Sequence, residues 1–84
     1  MHVRVYITPK KGILDPQGVA IERSLPALGF EGVSDVRVGK FIELELDLAD
    51  GVGAEAARAE IDAMCRKLLA NPIIEDFTFA VDDR

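Results

Sequence analysis

The sequence predicts an α+β domain of two layers, and three observations carry that prediction. Several segments alternate apolar and polar residues with a period of two, the mark of a half-buried strand. Two others repeat apolar residues at intervals of three and four, the mark of a helix with one buried stripe. The segments follow one another in the order β-α-β-β-α-β.

The first strand is "HVRVYITP". Val3, Val5 and Ile7 point one way, His2, Arg4, Tyr6 and Thr8 the other, and Pro9 ends it. "KKGIL" is a loop. The stretch "GILDPQG" then raises a choice between a phosphate-holding loop and a helix start. Asp15 stands at the N-cap position and Pro16 at the first helical position, where no amide partner is needed. A carboxylate at that point occupies the free amides and repels a second anion. The stretch also lacks the Gly-x-x-x-x-Gly-Lys-Ser/Thr pattern of a nucleotide loop. It therefore reads as a cap. Leu14 and Val19 have the spacing of a hydrophobic staple.

The first helix is expected from Pro16 to about Leu28, with Gly18, Ile21, Leu25 and Leu28 on one stripe. Pro26 should kink its last turn and Gly29 should stop it. "VSDVRVGKFIELELDL" reads as two strands joined by a two-residue turn at Gly39-Lys40. Val36 and Val38 share a face before the turn. Ile42, Leu44, Leu46 and Leu48 alternate with acids after it. A second helix is expected over Ala54 to Ala70, with Ala54, Ala57, Ile61, Met64, Cys65 and Leu68 as its stripe and Asn71-Pro72 as its stop. "IIEDFTFAV" is the last strand, with Phe77, Phe79 and Val81 on one side, and the final three residues trail from it.

This order is solved by a four-stranded antiparallel sheet with both helices on one face, the ferredoxin-like arrangement. The first strand then lies centrally beside the third, and Arg4 should meet Glu43 or Glu45 across that pair. The uncovered face should carry His2, Arg4, Tyr6, Asp35, Arg37, Phe41, Glu43 and Glu45.

Eighty-four residues make a single domain spanning 1–84. A chain of this length buries roughly 60% of its unfolded surface, so its own core is thin and oligomerisation is expected. Apolar residues make up 49%, enough for a core. Ten basic residues against fifteen acidic ones give a net charge of -5. No basic run exceeds two residues, which argues against nucleic acid and against an anionic membrane. The opening residues alternate and lack the apolar middle of a signal peptide, and no apolar run approaches the roughly 20 residues of a span. One cysteine forms no internal disulfide, and the simplest location is the cytoplasm.

No catalytic set is legible. Cys65 lies on the apolar stripe and reads as a buried thiol. His2 is the only histidine, which excludes a metal cluster built on histidine and leaves Ser24 and Ser34 without a ready base. Glu43 and Glu45 read as the solvated side of a strand.

Three stretches together carry a resemblance: "LDPQGVAIERSL", "VSDVRVGKFIELEL" and "CRKLLANPIIEDF". In this order and spacing they resemble the PurS family, the small third subunit of formylglycinamidine ribonucleotide synthase, over nearly the whole chain. Pro26 departs from the ordinary helix former expected there, and "ADGVGAEAARAE" matches no motif. The resemblance implies a cytoplasmic purine-synthesis assembly. In it a glutaminase subunit releases ammonia and a large synthetase subunit, using ATP and Mg, consumes it. The small subunit is not itself catalytic and binds no cofactor alone. It pairs with itself as a dimer or tetramer, bridges the other two subunits and assists ammonia transfer. The contact residues expected on this view are Asp15, Gln17 and Gly18 at the first helix start, Arg37 and Lys40 at the hairpin, and Asn71, Glu75 and Asp76 after the second helix. Two rivals share the element order. One is a ligand-binding regulatory domain of the ACT type, acting as a dimer. The other is a small enzyme or RNA-binding module, which the acidic balance and the missing aromatic platform oppose.

Overall fold

The computed structural model describes residues 1–47, 51 and 53–82. Strand β1 (His2–Pro9) is followed by helix α1 (Pro16–Ser24) and a short 3-10 turn (Pro26–Leu28). Then come β2 (Lys40–Glu45), helix α2 (Ala54–Met64) with a wider π turn (Cys65–Leu69), and β3 (Glu75–Asp82). Among the described residues the sheet has three strands in the order β2-β1-β3, both pairs antiparallel. Arg4 stands opposite Glu43 and Ala80, and Val5 opposite Ile42 and Phe79. β1 is central, as the ferredoxin-like arrangement requires, and its alternation sets which face is buried. Val3, Val5 and Ile7 are essentially sealed from solvent.

α2 supplies the second layer. Ala57, Ile61 and Cys65 bury against β1, with Phe77, Phe79 and Val81 partly buried beside them. The guanidiniums of Arg58 and Arg66 lie over the rings of Phe79 and Phe77, 5.1 and 5.3 Å from their centroids. The π turn closes with the Ala70 amide donating to the Cys65 carbonyl at 2.8 Å. Its extra residue per turn shifts the stripe. Leu69 and Ala70 stay with the core, while Leu68, expected on the buried stripe, is 84% exposed.

Three further expectations change. Gly39 and Lys40 form no turn. Past Asp35, which takes the left-handed conformation at φ 57°, the chain runs from Val36 through Gly39 into β2 without a turn, so the expected second strand continues β2 instead of folding back on it. Leu14 is 80% exposed and staples nothing. Asp82, expected in a trailing end, belongs to β3. Leu48 lies outside the described residues. Other details agree. α1 breaks at Pro26, and Gly29 stops the following turn at φ 94°.

α1 does not cover the sheet. No α1 side chain belongs to the buried core. A compact chain of this length has a radius of gyration of about 12 Å, whereas this one has 16.8 Å and extends 55 × 27 × 15 Å. α1 packs instead on the segment before β2. A Cβ at Gly18 would stand 2.2 Å from the Val36 carbonyl oxygen, and a Cβ at Gly39 would stand 2.2 Å from that of Ile7. Both glycines are needed for close approach.

Gly18→Ala should therefore destabilise the protein. In an open helix that change gains about 1 kcal/mol, but here a backbone carbonyl must move, and overpacking costs roughly 1–3 kcal/mol. Urea unfolding should show a lower midpoint. A midpoint equal to or above that of the parent would mean that Gly18 is not wedged against Val36.

Candidate functional site

The end of β1 decides where the site forms. Met1 and Leu46 exchange both main-chain bonds, at 2.9 and 3.3 Å, so the even-numbered residues of the β2 ribbon turn their amides and carbonyls toward β1. Carried along the ladder, Val38 would face residue 9. That residue is proline, which has no amide to give, and β1 stops there. The Asp15 carboxylate takes over, accepting the Val38 amide at 2.7 Å. Glu22 accepts the Val36 amide at 3.3 Å. Asp15 thus holds the N-cap position of α1, as its sequence context indicates, yet its side chain makes no cap bond of ordinary geometry. The Val38 amide, followed by the nearby Gly18 amide, holds the Asp15 carboxyl below the usual carboxylate range.

Beside this joint the sheet ends in charged side chains. Arg37 Nη1 donates to the Pro9 carbonyl at 3.2 Å. Lys40 Nζ lies 3.8 Å from Glu75 Oε2. Glu75 Oε1 also accepts the Asn71 amide at 2.8 Å, and Asn71 Oδ1 accepts the Ile73 amide at 3.1 Å. Lys10 Nζ lies 3.5 Å from Asp76. A depression of about 430 Å³ is lined by Lys10, Asp62, Arg66, Glu75, Asp76 and Phe77, among others. Arg37, Lys40, Asn71, Glu75 and Asp76 therefore share one end of the sheet, with Asp15 and Gly18 joined to it through Val36 and Val38. Gln17 is exposed in the first turn of α1. Sequence reading missed Lys10, Asp62 and Arg66. The Asp62–Arg66 pair, at 2.7 Å, has the i,i+4 spacing that would have revealed it.

The opposite end of the sheet holds a second cluster. His2 Nδ1 lies 2.7 Å from Glu45 and its Nε2 3.0 Å from Glu43. Both ring nitrogens donate only in the imidazolium, so the two acids raise the His2 pKa, the hydrogen bond to Glu45 contributing most. Arg4, expected to meet Glu43 or Glu45, pairs instead with Asp82 at 3.2 Å, while His2 engages those two acids. Cys65 is sealed in the core, and burial pushes its thiol pKa up, away from nucleophilic use. The surface therefore offers fixed charges and shape.

A family model described as PurS: phosphoribosylformylglycinamidine (FGAM) synthase matches residues 2–83. The chain belongs to the PurS family. The phosphoribosylformylglycinamidine synthase subunit PurS of Synechocystis is 44% identical over 95% of this chain and 77% of its own length. The structure of Bacillus subtilis PurS covers 98% of both chains at 38% identity and a TM-score of 0.80. A chain in the structure of PurLQS from Thermotoga maritima aligns over 95% of this PurS chain and 96% of its own, at 28% identity and a TM-score of 0.75. Among the described residues of this PurS chain, no helix is long and apolar enough to cross a membrane.

The two clusters titrate in opposite senses. His2 has a raised pKa, so its contribution to stability is present below its unfolded pKa of about 6.5 and is lost as pH rises through the folded value. NMR titration should place its pKa above about 6.5, and Glu45→Gln should lower it more than Glu43→Gln. Equal effects would contradict the geometry. Asp15 has a lowered pKa, so its contribution is present above about 3.9 and fades as pH falls through the folded value. Asp15→Ala should lower the unfolding midpoint at pH 7 and narrow the gap to the parent in acid; Asp15→Asn, which keeps an acceptor for Val38, should lose less.

Proposed function

We propose that this PurS chain serves as the non-catalytic bridge of a formylglycinamidine ribonucleotide synthase in the cytoplasm. It holds a glutaminase subunit and a synthetase subunit that uses ATP and Mg in fixed register, and it helps ammonia pass between them. The observation that carries this reading is the likeness to a chain in PurLQS from Thermotoga maritima over nearly the full length of both. Ammonia must travel unprotonated and away from bulk water, so its passage needs a shielded wall. A domain whose side chains are tied to one another supplies such a wall without reacting. The charged end of the sheet suits docking, because Lys10, Lys40, Glu75 and Asp76 are linked by surface ion pairs that contribute little to folding. Asp15, Gln17, Gly18, Arg37, Lys40, Asn71, Glu75 and Asp76 are assigned to contacts on this basis. The chain itself holds no cofactor in this scheme, and it pairs with further copies of itself. The four-stranded ferredoxin-like arrangement belongs to that assembly.

Reconstitution tests the reading. Leaving this chain out of a mixture of the three subunits should abolish the glutamine-dependent rate and spare the ammonia-dependent rate. Loss of both rates, or of neither, would remove the coupling role. Lys40→Ala combined with Asp76→Ala should weaken co-purification with the larger subunits by about tenfold. The unfolding midpoint of the isolated chain should move little, within roughly 0.5 kcal/mol of the parent.

A further inference from the structure

The face of the sheet opposite α2 carries side chains that the core does not use. Val3, Val5 and Ile7 turn toward the helix, so His2, Arg4 and Tyr6 turn away from it. The register sets these three against Glu45, Glu43 and Phe41 of β2. Tyr6 and Phe41 form a ring pair, with centroids 5.2 Å apart and planes tilted by 34°. They are 43% and 53% exposed, so the outer side of the pair is open to solvent.

The charges beside this pair do not balance. Arg4 is engaged by Asp82 at 3.2 Å. Glu43 and Glu45 share His2, and one imidazole carries at most one positive charge for two carboxylates. Excess negative charge therefore stands next to rings whose own faces are negative. Both features attract a cation. On the helix side of the same sheet that attraction is satisfied within the chain, where the guanidiniums of Arg58 and Arg66 lie over Phe79 and Phe77. Among the described residues no guanidinium lies over Tyr6 or Phe41.

We infer that this face receives an arginine-bearing segment of another protein, with one guanidinium stacked on Tyr6 and Phe41 and forked onto the Glu43 carboxylate. Arginine fits better than lysine, because its planar head stacks on rings and donates in parallel pairs, whereas an ammonium is a strongly hydrated point charge. A peptide segment fits better than a free amino acid, because the acceptors repeat. Phe41, Glu43 and Glu45 alternate along one strand over roughly 13 Å, the spacing at which an extended segment presents every second side chain. That the segment belongs to one of the larger subunits rests on the bridging role proposed above. The guanidinium site itself does not.

Tyr6 is the chain's only tyrosine, so its ring resonances in NMR report on this face directly. The peptides Gly-Arg-Gly-Arg-Gly, Gly-Lys-Gly-Lys-Gly and Gly-Glu-Gly-Glu-Gly are titrated into the full chain. The arginine peptide should shift the Tyr6 resonances saturably and bind at least about fivefold more tightly than the lysine peptide. The glutamate peptide should not bind. Phe41→Leu and Glu43→Gln should each weaken the arginine peptide about tenfold while leaving circular dichroism unchanged. The two substitutions combined should also weaken co-purification with the larger subunits. No saturable shift, equal binding of the lysine peptide, or indifference to both substitutions overturns the site. So does a Tyr6 shift that follows the chain's own concentration and ignores the peptides, because the occupant is then a second copy. If the arginine peptide binds as expected and the parent chain joins no larger subunit, the bridging role fails and the site stands. If the parent and the double variant join the larger subunits equally well, the assignment of the segment to those subunits is overturned.

Discussion

The bond from the Val38 amide to the Asp15 carboxylate organises the molecule. β1 cannot extend past Pro9, because proline offers no donor and the ladder would leave Val38 unpaired. A carboxylate at a helix start takes that amide at 2.7 Å. The helix is thereby fixed to the ribbon instead of to the sheet, and Gly18 lets the two backbones touch. The 55 Å length and the uncovered apolar residues of α1 follow from this joint. So does the gathering of Asp15 and Gly18 beside Arg37 and Lys40.

The sheet itself rests on few side chains. Val3, Val5 and Ile7 on β1 form one buried cluster with Ile61 on α2, Cys65 at the start of the π turn and Ala70 just after it, and partly buried residues of β2 and β3 flank them. One helix over three strands leaves one flank of the sheet's helix side open. The π turn at Cys65–Leu69 sharpens that asymmetry. It keeps Leu69 on the core and turns Leu68 out beside the open groove. The arginine side chains over Phe77 and Phe79 close the other flank with cation–π contacts rather than with a further apolar layer.

These features suit a part that acts by docking. Its sole thiol is sealed and its histidine is engaged by two acids. Its charged end is built from exposed ion pairs, which are inexpensive to rearrange on binding. Its apolar faces are large for so small a chain. They accord with the likeness to a chain in the structure of PurLQS from Thermotoga maritima.

The sequence by itself determined the local elements. Period-two alternation located β1, β2 and β3, the ferredoxin-like element order put β1 at the centre, and the three-four spacing located α2. Pro26, Gly29 and Asn71 marked where helices end, because backbone restrictions act within a few residues. The motifs around Leu14–Gly18, Val36–Lys40 and Cys65–Asp76 also carried the family. Only the tertiary structure decided what the Val36–Val38 segment does. A glycine followed by lysine permits a hairpin, and its extended alternative differs by long-range contacts alone: Ile7 against Gly39, Val36 against Gly18, Val38 against Asp15. The same holds for His2, which engages Glu43 and Glu45 while Arg4 turns to Asp82 on β3, a choice between neighbouring strands that no local pattern encodes. Local periodicity reports which face a residue presents. Which chain or strand meets that face is set by packing between segments distant in sequence.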